Sequence, residues 1–337
     1  MIIEYTYVIN LDHRIDRWNN IQKAFKYTPL KLNRWNAVYG KNLSDDDIYK
    51  ITNTFCYYFC APGLIGCWLS HYLLWKYIFE NKLDNVLILE DDAIPIQNFS
   101  IKLDNILKQI PTDYDIVFLG CDGSCDSENN YLAQLIYGKN KSVDVNNKIN
   151  DLVVPTFPLG MHAYIVSHRG AKKLLEIKEL NKISYHIDYH LSKYIYSNKN
   201  YNIKMYATIL PLIVQDADKN ISDIAEKEHP IVNELFSRIK VTNSHNLDYM
   251  TNLSVIDIRK LSLPITNYLI VLIVLSFFIG LLGNVFIIKL YSCIIILFYL
   301  AEQLISTKIN INLLVSELSS IFLFLFLGKI FGQLIFK

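Results

Sequence analysis

Glu90, Asp91 and Asp92 follow directly on the apolar run Val86-Leu87-Ile88-Leu89. Three adjacent acids repel one another, and a folded chain keeps them at a strand end mainly where a cation or strong hydrogen-bond donors neutralise them. Oxygen-only ligands suit hard divalent ions such as Mn²⁺ or Mg²⁺, which bind one or two carboxylates and complete their shell with substrate phosphates and water. The triplet therefore points to a phosphate-bearing substrate, with Asp91 and Asp92 as metal contacts and Glu90 orienting them. An acidic surface loop after a buried strand would read the same way, so the surrounding sequence has to decide.

Asn10, Asp12, Arg14 and Arg17 lie where a β-rich run, Thr6 to Leu11, meets a helical pattern through Ile21 and Phe25. Arginine suits paired phosphate contacts, so this junction is a candidate anion cradle; its plain alternative is a solvated turn with a helix-face salt bridge. Gln215 and Asp218 follow a late strand, Met205 to Val214, and could close the site, Asp218 against the metal. A surface loop is the alternative there too. Cys56/Cys60 and Cys121/Cys125 could build a zinc site, but no matching histidine pattern accompanies them, and the expectation is reduced, structural thiols. Asp45-Asp46-Asp47 after Ser44 reads as the first turn of a capped helix and is assigned no chemistry.

These residues need a scaffold, and the chain alternates strands with helices. A second strand is expected at Leu30 to Ala37, and a buried helix from Pro62 through Ile65, Trp68, Leu69, Tyr72, Trp75 and Phe79. The spacing then predicts a strand from Asn85 to Leu89 directly before the acids, a helix over Phe99 to Ile110 and a strand over Ile116 to Leu119. Asp122 to Asp151, rich in Asn, Ser, Lys and Gly, reads as a loop. A strand over Gly160 to Val166, a helix capped by Ser167 and a further helix after Tyr185-His186-Ile187-Asp188 complete an α/β layered fold with a largely parallel sheet. Ligands bind such sheets at the carboxyl ends of strands, where the triplet lies. Trp68 and Trp75 read as core.

The 337 residues carry a formal net charge of +1, which lacks the dominant basic surface of a nucleic-acid binder. Hydrophobic residues make up 52%, and their excess is concentrated after Leu261. Spans are expected near Leu263 to Leu282, Val285 to Ile305 and Leu313 to Phe336, giving two or three transmembrane helices, with Glu317 and Lys329 snorkelling. The expected division is 1–225 catalytic, 226–262 a charged linker and 263–337 a membrane tail. Met1 to Tyr5 has no secretory-signal pattern, and Arg259-Lys260 precede the first span. A multi-pass membrane protein with its catalytic part on the cytoplasmic side is expected, its Asn-x-Ser sites at Asn42, Asn98, Asn140, Asn220 and Asn252 bare.

Three stretches together resemble glycosyltransferase family 25, which includes bacterial lipooligosaccharide and collagen galactosyltransferases. They are Tyr7-Val8-Ile9-Asn10-Leu11-Asp12-His13-Arg14-Ile15-Asp16-Arg17-Trp18; Gly66-Cys67-Trp68-Leu69-Ser70-His71-Tyr72-Leu73-Leu74-Trp75-Lys76 with Ile88-Leu89-Glu90-Asp91-Asp92-Ala93; and, more weakly, Gly160 to Ser167, Gly170-Ala171, Asp188, Pro211-Leu212, Gln215 and Ser222-Asp223-Ile224. The resemblance runs from about Tyr5 to Ile224 and leaves the tail outside.

The resemblance implies a GT-A type fold, a UDP-sugar donor carrying galactose or glucose, a glycan or protein acceptor, Mn²⁺ or Mg²⁺ as cofactor, and inversion at the transferred sugar. It makes Asp188 the catalytic base, although Asp is also favoured as a helix cap. Glu90 would touch the donor sugar or orient its neighbours, Asp91, Asp92 and Asp218 would hold metal, and Asn10, Asp12, Arg14, Arg17, Ser70, His71 and Gln215 would bind donor. Lipopolysaccharide-type glycan synthesis fits this reading. Heavy use of Asn, Ile, Lys and Tyr suggests an AT-rich genome, such as a large DNA virus. Two other readings fit the same acids and tail, a metal-dependent nucleotidyl or phosphoryl transferase and an inactive membrane scaffold.

Overall fold

The computed structural model describes residues 2–123, 141–142, 151–197, 201–215, 230–239, 241, 246–258, 263–305 and 311–335. Its strands are β1 (Tyr5–Asn10), β2 (Leu32–Asn36), β3 (Val86–Glu90), β4 (Ala93–Pro95), β5 (Ile116–Gly123), β6 (Lys141–Ser142), β7 (Leu152–Val154), β8 (Pro158–Val166), β9 (Met205–Thr208), β10 (Ile213–Gln215), β11 (Ser254–Ile258) and β12 (Leu263–Thr266). The α-helices are α1 (Ile15–Ala24), α2 (Asp45–Ile51), α3 (Thr54–Phe59), α4 (Pro62–Glu80), α5 (Phe99–Gln109), α6 (His168–Glu176), α7 (Ile187–Ser197), α8 (Pro230–Phe236), α9 (Leu247–Asn252), α10 (Asn267–Leu282), α11 (Val285–Ile305) and α12 (Ile311–Ile335). Two units are distinguished, one of residues 1–57, 62–221 and 241–245, the other of 58–61, 222–240 and 246–337.

The first unit is built on an eight-stranded sheet in the order β2-β1-β3-β8-β5-β9-β7-β6. β2, β1 and β3 are parallel to one another, as are β5 and β9, and β8 runs antiparallel between β3 and β5. The sheet is thus mixed but mostly of one sense, as an α/β layered fold requires. Reversal of β8 brings its amino-terminal residues, Pro158 to Gly160, to the edge where β3 and β5 end. Val86, Leu87, Ile88 and Leu89 have no exposed surface, so β3 is covered on both faces and reads as an unbroken apolar run rather than an alternation. Val8, Leu87, Leu89, Val117, Ala163 and Ile165 share one core with Ile21 of α1 and Leu103 and Ile106 of α5.

Ser44 caps α2 by accepting the Asp47 amide, and Ser167 caps α6 by accepting that of Gly170, as short polar residues before helical runs do. Two expectations change. The late strand is two, β9 in the main sheet and β10 on β4, because Pro211 between them has no N–H to continue a ladder. The polar stretch from Asp122 is not all loop: Asp122 and Gly123 extend β5, and Lys141–Ser142 pair with β7. Residues 124–140 and 143–150 lie outside the described ones, as do Asp218, Ser222-Asp223-Ile224, Arg259 and Lys260.

In the second unit α11 and the Leu314–Ile335 part of α12 are long and apolar enough to cross a bilayer, while α10 is shorter. α10 and α12 pack at backbone distance. A Cβ on Gly280 would lie 2.1 Å from the Leu325 carbonyl oxygen, one on Gly328 2.1 Å from that of Phe277, and one on Gly332 2.4 Å from that of Leu281. Small residues four apart on a helix permit such close approach. Gly328→Leu is expected to cost about 1–3 kcal/mol by overpacking and to make the tail sensitive to protease in detergent; unchanged resistance would refute this packing. Glu317 does not snorkel, since it is 1% exposed. Glu302, 3% exposed, accepts the Ile231 and Val232 amides at the start of α8.

Candidate functional site

β1 lies beside β3 in parallel register with Ile9 opposite Glu90, which sets Asn10 next to Asp91. Asn10 Nδ2 donates to Asp91 Oδ2 at 2.7 Å, and Arg17 Nη1, one turn into α1, donates to Asp91 Oδ1 at 2.8 Å. Both oxygens of Asp91 are therefore held by protein donors. Arg34 of β2 orients the asparagine: its Nε donates to Asn10 Oδ1 at 2.7 Å, while its Nη2 reaches the Leu11 and Asp12 carbonyls at 3.0 Å. Burial still pushes the Asp91 carboxyl above its ordinary range, against the Arg17 charge.

The Arg17 and Asp91 side chains are only 7% and 11% exposed. Breaking a buried pair strands one charge, at a typical cost of about 3–5 kcal/mol. Arg17→Met is expected to lower the melting temperature of the chain accordingly, and adding Asp91→Asn to recover much of the loss. If the double variant melts below both singles, the pair is not what stabilises this corner.

Glu90 points the other way. His71 Nε2 approaches Glu90 Oε1 at 3.3 Å, and His71 Nδ1 lies 3.0 Å from the Tyr164 hydroxyl, which accepts from Trp75 Nε1 at 2.8 Å. Indole can only donate, and burial holds the Tyr164 phenol well above its usual range, so it keeps its proton. The tyrosine proton goes to His71 Nδ1, leaving Nε2–H to donate to Glu90. Burial raises the Glu90 carboxyl, but the hydrogen bond from His71, with the nearby Arg17 charge adding to it, outweighs this and holds the group below its ordinary value.

Asp92 has less support. Gln215 on β10 sits opposite Ala93 of β4, and its amide makes long contacts to Glu90 Oε2 at 3.4 Å and Asp92 Oδ1 at 3.5 Å. Among the described residues Asp92 meets no cation within ion-pair distance. Burial, then the charges of Glu90 and Asp91, push it up to about 7. The triplet thus holds more negative charge than its surroundings neutralise, and the surplus is on Asp92. Adding a divalent cation there fits the donor set, whereas Asp91 is already engaged.

Asp188 opens α7. Its Oδ2 accepts the Gly160 amide at 2.9 Å and its Oδ1 that of Tyr189 at 2.7 Å. Gly160 has φ +75°, a conformation glycine adopts without strain, and a Cβ there would lie 3.2 Å from His162 Nδ1. The Cys67 sulfur feels the charges of Glu90, Asp188, Asp92 and Asp91, so these acids share one neighbourhood.

The other expected donor contacts lie differently. Ser70 is fully buried; its hydroxyl donates to the Gly66 carbonyl at 2.6 Å and accepts the Val38 amide at 2.8 Å, bracing α4 against the chain after β2. Arg14 pairs with Asp16 at 3.1 Å, and Asp12 is exposed. Asp218 is outside the described residues. Trp68 and Trp75, 2% and 0% exposed, are core.

Arg34, Cys67 and Tyr164 were not singled out from the sequence. A charged residue inside an apolar strand pattern is the available signal for Arg34; Cys67 and Tyr164 lie within the stretches that carry the family resemblance, with no role of their own assigned. The cysteines also differ from expectation: Cys56, Cys60 and Cys121 are disulfide-bonded, and Cys67 and Cys293 are free. Disulfides persist in oxidising compartments and are rare in the cytosol, so the expectation of reduced thiols on a cytoplasmic face has no support here.

Residues 3–191 match Glycosyltransferase family 25 (LPS biosynthesis protein). A "Glycosyltransferase 25 family member" of Aedes aegypti is 28% identical over 193 residues, 54% of this chain and 30% of that protein. "Procollagen galactosyltransferase 1-B" of Xenopus laevis is 27% identical over 198 residues, again 54% and 30%. The chain therefore spans under a third of the length of these curated relatives. Among solved structures, A197 from STIV is 13% identical and covers 62% of this chain and 82% of its own, with a TM-score of 0.29.

Proposed function

This chain belongs to glycosyltransferase family 25, and on that premise we propose that it moves a hexose, galactose or glucose, from a UDP-sugar to a hydroxyl of a glycan or protein acceptor, with inversion. The observation that carries the reading is the surplus carboxylate: Asp92, half-buried and, among the described residues, with no cation within ion-pair distance, beside Asp91 locked to Arg17. A divalent ion on Asp92, Mn²⁺ or Mg²⁺, would neutralise the leaving diphosphate as a Lewis acid.

The chain's own residues do the rest. Arg17 and Asn10 fix Asp91 and with it the turn that presents Asp92. His71 and Gln215 clamp Glu90 from two sides, which orients the acid beside the donor sugar. Asp188, aimed by two backbone amides, accepts the acceptor hydroxyl's proton on the face opposite the leaving group, as inversion requires. The apolar helices α11 and α12 would anchor the enzyme in a membrane.

The test is hydrolysis of UDP-galactose and UDP-glucose by the full chain in detergent, with and without Mn²⁺. Slow release of UDP and free sugar only with metal is expected. Nucleotide consumption without sugar release would favour a phosphoryl transferase, and no turnover with any donor or metal would overturn the reading.

A further inference from the structure

We propose that Cys67, His71 and Glu90 form a second cation site, one that takes Zn²⁺ and closes the catalytic centre when occupied. Cys67 and His71 stand four residues apart on α4, so one face of the helix presents both. A ligand atom from each, and one from Glu90, lie within 4.8 Å of one another. Thiolate, imidazole and carboxylate together suit zinc, whereas Mn²⁺ and Mg²⁺ favour oxygen donors.

Two features speak for a metal rather than for chance proximity. The first is distance. Nitrogen and oxygen ligands each about 2.1 Å from a tetrahedral zinc are themselves roughly 3.4 Å apart. His71 Nε2 and Glu90 Oε1 are 3.3 Å apart, long for a hydrogen bond and right for a shared ion. The second is support behind the ligand. A metal-binding histidine usually has its other nitrogen held by an oxygen, and here the Tyr164 hydroxyl, itself pinned by Trp75, lies 3.0 Å from Nδ1. Cys67 is a free thiol, while Cys56, Cys60 and Cys121 are oxidised.

Binding balances simply. The thiol proton leaves to solvent as the Zn–S bond forms, and the imidazole proton moves from Nε2 to Nδ1, while the Tyr164 hydroxyl turns its own proton away so that its oxygen accepts the Nδ1–H. Glu90 Oε1 then serves zinc while Oε2 keeps the Gln215 amide, so the carboxylate is tied to the metal and no longer free to meet the donor sugar. This inhibitory consequence rests on the function proposed above, but the site itself does not.

Cobalt reports thiolate ligation optically, so the experiment titrates Co²⁺ into the full chain in detergent without reductant. A near-ultraviolet sulfur-to-cobalt charge-transfer band is expected in the wild type and in Cys293→Ser, absent in Cys67→Ser, and bleached by an equivalent of Zn²⁺. In an active preparation, Zn²⁺ should inhibit the Mn²⁺-supported reaction, and Cys67→Ser should weaken that inhibition at least about tenfold. No band in the wild type, or a band that survives Cys67→Ser, overturns the site. Absence of any turnover would count against the glycosyltransferase reading alone, because the optical result stands without it.

Discussion

Replacing Asp92 with Asn is expected to lower sugar transfer by about a thousandfold, roughly 4 kcal/mol of transition-state stabilisation, while making the metal-free chain more stable above neutral pH. The two effects share one cause. In the folded chain burial and the charges of Glu90 and Asp91 push the Asp92 carboxyl up to about 7, from 3.8. A carboxyl whose folded pKa is raised contributes stability that is complete below its unfolded value and is lost as pH rises through the folded one. The wild type should therefore lose stability between about pH 4 and 7 relative to the variant, whose amide carries no charge.

Melting curves at pH 4 and pH 8, with and without Mn²⁺, check this. The variant should melt higher than the wild type at pH 8 without metal, and only the wild type should gain appreciably from Mn²⁺. Equal gain in both, or full activity of Asp92→Asn, would remove Asp92 from the metal.

Asp188→Asn is expected to cut kcat by about 10²–10⁴ with little change in the donor KM, the range lost when a positioned base is removed. The amide oxygen can still accept the Gly160 N–H, so α7 should stay in place and melting should hold. Loss of turnover with intact donor binding would separate proton abstraction from diphosphate stabilisation. Gly160→Ala supplies the complementary variant: it strains a φ of +75° and crowds His162, displacing the amide that aims Asp188. An Asp188→Asn enzyme within a fewfold of wild-type kcat would leave Asp188 as a helix-opening residue only.

The strand Val86–Glu90 and the acids after it were legible because every signal for them is local. An apolar run followed by charge needs no partner to be recognised, and neither do the caps at Ser44 and Ser167. The neutralisation of the acids was legible in kind but not in detail. Asn10 and Arg17 are 81 and 74 residues from Asp91, and only the parallel register of β1 on β3 brings them together.

That Asp91 is spoken for by Arg17, leaving Asp92 to carry the surplus, follows from which side of the strand each carboxylate turns to after Glu90. Spacing cannot give that. The reversed β8 is hidden for a related reason: a strand covered on both faces reads the same in either direction, so its pattern does not show that Tyr164 lies against His71. Cys67 was masked in the same way by the apolar helix that carries it. The late strand is split because Pro211, lacking an N–H, breaks a ladder that the apolar run alone would continue.

The oxidised state of Cys56, Cys60 and Cys121 governs how this polypeptide has to be manufactured. Bacterial cytosol keeps thiols reduced, so recombinant material made there would lack bridges that secretory or periplasmic expression supplies. Dithiothreitol added to purification buffers would scavenge zinc from the folded protein, while the bridges, with Cys56, Cys60 and Cys121 buried, would yield to it only as the fold opens.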